Sequence, residues 1–196
     1  MLHRLTHGVH GGLAGLRQAS SGRGAARRVT TAATATLRGA AMPRNPAAFA
    51  ILVGGGIAGA LDIAYAITFS AFRGMSPTQL LQLVASGLLG SAAYDGGVPV
   101  AMLGLALHFL ISFAAAAIYY YVVREYIRNL TRHALVSGVL FGLAVFAVMN
   151  FVVLLLSAFP HQVRFSLLAT GTNLFSHMFF FGVPIAWATR KALTGA

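Results

Sequence analysis

Four polar side chains, Asp62, His108, Asn150 and His177, each lie near the middle of a long apolar run. Lipid offers them no hydrogen-bonding partner, so such groups must turn toward protein or water. An ionised carboxylate at mid-helix costs about 2.5 to 3.5 kcal/mol even on the lenient insertion scale, so Asp62 is expected to be protonated or paired. No Lys or Arg lies within a run. That leaves His108 and His177 as partners, with Asn150 as a neutral donor. A carboxyl beside an imidazole can pass a proton near neutrality. The same residues have a structural use, as interhelical hydrogen bonds that fix helix register at about 0.6 to 2 kcal/mol each. Two imidazoles on different helices also supply the ligand types for axial ligation of a b-type haem or, with Asp62, of a metal ion. Two ligands alone name no metal and imply no cofactor.

The remaining motifs concern packing. ILVGGGIAG places Gly54, Gly56 and Gly59 at the spacing of a dinucleotide phosphate turn, but no acid follows about 20 residues later, as that fold requires. Gly55 and Gly59 read instead as a GxxxG face that permits close backbone approach, and this face could pair two copies of the chain. Gly182 and Pro184 predict a kink in the last run. Asp95 and Glu125, the other two acids, fall at opposite ends of a run and cannot pair, and no hydrolase triad is visible. Enzymatic turnover is not expected.

The elements that must position these residues are helices in a membrane. Hydrophobic residues make up 58% of the 196-residue chain and charged residues 9%, which describes a polytopic membrane protein whose partner is the bilayer. The runs 47–72, 99–123, 134–159 and 165–188 each reach the roughly 20 residues of a span. Ser76, Pro77 and Gln79 form a capping box for a shorter helix over 77–92, read as interfacial or re-entrant. The expected fold is all-α: four transmembrane helices in a bundle, over 47–191, plus this short helix. Gly54 precedes Asp62 as Gly142 precedes Asn150, and SAF ends both runs at Ser70 to Phe72 and Ser157 to Phe159. The pattern suggests a parallel repeat of two hairpins.

The net charge of +11 does not point to nucleic acid, because seven of the fourteen basic residues precede Pro46 and most others flank the runs. Arg124, Arg128, Arg132, Arg190 and Lys191 fall on the side of the amino terminus, and Arg73 and Arg164 on the other. Both termini are therefore expected in the cytoplasm. His133 and His161 read as solvated boundary residues. Residues 1–46 form a basic, acid-free segment expected to be disordered. Met42 is one reading of the true start; a mitochondrial targeting segment, and hence a mitochondrial inner membrane, is the other. Without cysteine there is no disulfide, thiolate site or Cys nucleophile.

LHFLISFAAAAIYYYVV around His108 and NLFSHMFFFGVPIAWATRK around His177 resemble the YagU-like family of small bacterial inner-membrane proteins. The resemblance extends loosely from Gly54 to Lys191 and implies a four-helix inner-membrane protein, with no catalytic residue to carry over. The function expected from the residues is proton-linked passage of a small solute or ion through the polar layer. A non-catalytic membrane scaffold and a haem-binding electron-transfer protein are the alternatives.

Overall fold

The computed structural model describes residues 44–160 and 166–195, which are helical and contain no strand. Most of the basic extension, with His161 and Arg164, lies outside the described residues. Helix α1 spans Pro46–Phe72. Its start is set by Asn45, whose side-chain oxygen accepts from the Ala48 amide at 3.1 Å, and by Pro46 in the first turn. Helix α2, Pro77–Leu89, opens on a complete capping box. The Ser76 hydroxyl oxygen accepts from the Gln79 amide at 3.3 Å, and the Gln79 side chain accepts from the Ser76 amide at 2.8 Å.

Helix α3 spans Gly97–Glu125 and α4 spans Arg128–Leu156. Helix α5 runs over 167–194, through Leu167–Ser176, a π-helical stretch His177–Gly182, and Val183–Thr194. Three described helices, α1, α3 and α4, are long and apolar enough to cross a membrane. Helix α5 is as long, but Thr170, Thr172, Asn173, Ser176 and His177 crowd its first half and make it more polar than the other three. Side chains such as Leu110, Ile118, Leu140 and Leu155 are more than half exposed on these helices, as lipid-facing residues would be.

Helix α2 ends at Gly90, whose positive φ of 63° starts a 3₁₀ turn over Gly90–Asp95. The chain then folds back as α3, which packs along α2. Gln82, which interrupts the leucines of α2, is 5% exposed and joins the pair. Its amide nitrogen donates to the carbonyls of Tyr94 at 3.3 Å and Gly97 at 3.2 Å. Any Cβ on Gly104 would strike the Leu81 carbonyl, so the two backbones meet there directly.

Helix α1 packs on α3 and α5, while α4 packs chiefly on α5. Gly55 and Gly59 face α3: a Cβ on Gly55 would lie 3.2 Å from Phe113 Cα, and one on Gly59 would lie 3.2 Å from Ser112 Cβ. The GxxxG face thus packs within the chain, against α3. A second seam joins α4 to α5, where Gly138, Gly142 and Gly182 bring backbone against backbone. At Gly182–Pro184 the structure has a π-helical turn immediately before the proline, which lies in the first turn of Val183–Thr194. A widened turn re-registers the ladder where proline supplies no N–H.

The two SAF segments do not end alike. Ser70–Phe72 is helical, whereas Ser157 turns extended and the Ala158 amide donates to the Gly87 carbonyl at 2.9 Å. Helix α4 therefore stops at Leu156, short of the expected 159, and the proposed repeat is not carried through in the backbone.

Candidate functional site

On α1, Asp62, Tyr65, Ala66, Phe69, Ser70 and Arg73 recur at i, i+3, i+4, i+7, i+8 and i+11 and so share one helix face. All six line one cavity of about 550 Å³. Ala169, Thr172, Asn173, Ser176 and His177 repeat the same spacing on α5 and form the facing wall. Leu80, Leu83 and Val84 of α2 close a third side, and His108 enters from α3.

Asp62 is 8% exposed. The Ser176 hydroxyl donates to its Oδ1 at 2.6 Å, and His177 Nδ1 stands 3.8 Å from the same oxygen. That second distance is electrostatic contact rather than a hydrogen bond. His177 Nδ1 lies 3.0 Å from the Asn173 carbonyl, one turn back on α5. A carbonyl only accepts, so Nδ1 carries the proton and, in the neutral ring, Nε2 keeps the lone pair. The ring is held between Phe146, edge-on, and Phe181, stacked, each at a centroid distance of 5.9 Å. The contacts of Asp62 with Ser176 and His177 fall on Oδ1, and the residue lines the cavity.

His108 donates from Nε2 to the Gly59 carbonyl at 2.9 Å, and the Ser112 hydroxyl donates to the Gly55 carbonyl at 2.7 Å. Glycine at these positions lets α3 come close enough to reach main-chain oxygens of α1. Asn150 is placed apart. Its amide donates to the Phe146 carbonyl of its own helix at 2.9 Å, within the π-helical stretch Met149–Val153, and it does not line the cavity. Asp62, His108 and His177 thus share one space that Asn150 does not enter. Among the described residues no three His, Asp or Glu side chains group in a way that could hold a metal ion. His133 is exposed.

Toward the end of the molecule that carries Arg124, the cavity stops at Asp62. Ala58, Ala116 and Ile185 are fully buried there, and Phe181 is 3% exposed. Toward the other end it reaches Arg73, whose guanidinium lies 5.9 Å from the Phe69 ring centroid. The arrangement is a blind pocket with a cation at its mouth, aromatic walls and a carboxyl, a hydroxyl and two imidazoles at its base.

Ser176, Thr172 and Arg73 belong to this site and are missed when only the polar residue in mid-run is sought. The legible signal was the i, i+1, i+4, i+5 spacing of Thr172, Asn173, Ser176 and His177, a polar stripe on an otherwise apolar helix. No family model, curated protein or solved structure matches this chain.

Proposed function

We propose that this is a multi-pass protein of the bacterial inner membrane, with both termini cytoplasmic and α5 as a fourth span. In this reading its Asp62 cavity takes up a small solute or ion from the opposite side, and uptake is linked to proton exchange. The observation that carries the reading is the buried Asp62 carboxyl, with one oxygen held by Ser176, in the lining of a cavity shared with His177 and His108. Apolar helices support the membrane setting, and the basic residues collected at one end support the orientation. The likeness of the His-bearing spans to the YagU-like family supports the choice of membrane. Closure beyond Asp62 implies that passage requires a second conformation, open toward the other side.

The test uses proteoliposomes with a trapped pH-reporting dye, challenged with a panel of small carboxylates, amines and inorganic ions. At least one solute is expected to drive proton movement, and Asp62→Asn to abolish it while the purified variant stays monodisperse. Asparagine keeps an acceptor for Ser176 but cannot take up the proton. Equal proton movement in wild type and Asp62→Asn would sink the reading.

A second reading, a membrane scaffold, draws on a different feature of the same contacts. Ser176 to Asp62, His108 to Gly59 and Ser112 to Gly55 each tie two helices together. Collapse of the folded protein in Asp62→Asn, with no solute response in wild type, favours it.

A further inference from the structure

The end of the molecule opposite the mouth of the Asp62 cavity carries a second pocket, of about 350 Å³, between the start of α1, the end of α3 and the end of α5. Arg124 and Arg128 line it from the two sides of the turn at Tyr126 and Ile127, with Tyr120, Asn45, Ala47 and Leu193 around them. Tyr120 is 3% exposed and forms a fixed wall, whereas both arginines are exposed. The chain has only three acids, Asp62, Asp95 and Glu125. None lines this pocket, and among the described residues neither guanidinium is ion-paired. Among the described residues, two like charges are therefore held at one concavity whose lining contains no acidic side chain. A ligand that brings two or more anionic oxygens relieves that repulsion, and guanidinium forks match phosphate oxygens in pairs.

The surroundings select the source of the phosphate. Tyr126 is 80% exposed, Tyr121 52% and Trp187 48%, with Lys191 Nζ standing 5.3 Å from the Trp187 ring centroid. Exposed Tyr and Trp beside basic residues, at the ends of apolar helices, mark head-group depth in a bilayer. Arg44, Arg132, Arg190 and Lys191 lie at the same end, which suits the anionic surface of a cytoplasmic leaflet. We propose that Arg124 and Arg128 form a binding site for the phosphodiester head group of an anionic phospholipid, with its acyl chains lying along the exposed apolar faces of the helices.

The experiment follows thermal unfolding of the full chain in neutral detergent through Trp187, the chain's one tryptophan. The added probes are phosphatidylglycerol, phosphatidylcholine and inorganic phosphate. Phosphatidylglycerol is expected to raise the midpoint by about 3 °C or more over phosphatidylcholine, and Arg124→Gln/Arg128→Gln to remove most of that rise. Arg132→Gln, an exposed arginine of the same end outside the pocket, is expected to keep it. Native mass spectrometry gives a second readout: phosphatidylglycerol retained on wild type and on Arg132→Gln, and lost from the double variant. If the double variant does not fold, Arg128→Gln alone is compared, with partial loss expected. An equal rise in wild type and the pocket variant overturns the assignment. So does an equal rise with inorganic phosphate, which would make this a site for the free ion.

Discussion

Helix α1 behaves as two different helices joined at Asp62. From Gly54 to Gly59 its small residues let α3 and α5 approach to van der Waals contact, and the neighbouring interior is tightly packed and buried. From Asp62 to Arg73 the face that would continue the seam carries Tyr65, Phe69 and Arg73 instead, and the space beside it is a cavity of about 550 Å³. The hydrocarbon solvent gives little drive for helices to associate, so close contact depends on side-chain size. Small residues bring backbones together and expose carbonyls to Ser112 and His108; large ones hold the helices apart and leave room for a solute.

Substitutions that add volume should have their largest effect where backbones touch, at the α4–α5 seam and then at the closed half of α1. Gly142→Leu places a side chain against the His177 carbonyl and Met178 Cα, where backbone cannot yield, and is expected to cost about 3 kcal/mol or more. The measurement is loss of the monodisperse peak and of the unfolding midpoint in detergent. At Gly59 a Cβ would lie 3.0 Å from the Phe109 ring, which can swing aside. Gly59→Leu should therefore cost about 1 to 3 kcal/mol, with the mass by light scattering unchanged. A dimer turning to monomer at unchanged stability would instead assign this face to pairing between copies.

Within the open region the effects shrink. Ser176→Ala removes the hydroxyl that holds Asp62 and is expected to lower stability by about 1 kcal/mol, read as a small shift in midpoint, together with a reduced solute-driven proton signal. Ala66→Phe points volume into the cavity and should change stability by no more than about 0.5 kcal/mol while blocking the solute response. A loss as large as that of Gly142→Leu would show that the space is not open to occupancy.

Much of this contrast could be read from residue order. The capping box at Ser76 and the start at Asn45 and Pro46 follow from local chemistry that needs no partner, whereas the short helix expected over 77–92 stops at Leu89, where Gly90 takes a positive φ. Asp62 and His177 stood out because a polar group amid lipid-facing residues must be met by something. Asn150 stood out for the same reason, yet its amide is met by its own helix. Depth along a helix can be counted in residues, but whether an amide finds its own backbone or a neighbour depends on rotation about the axis. That rotation changed the proposed layer of four residues into a cavity lined by three of them. The same limit applies to Gly138 and Gly142, whose spacing is a packing motif but whose partner, Gly182, is set by contact across the chain.

By itself the sequence determined that the chain forms long apolar helices, where several of them start, and which side chains lipid would refuse. These are properties of one segment and its solvent. Tertiary packing alone decided that Gly55 and Gly59 pack against α3, that Ser176 reaches Asp62, and that Arg73 stands at the mouth of the same cavity. Each depends on the relative rotation and separation of two helices, set jointly by the sizes of residues far apart in the chain.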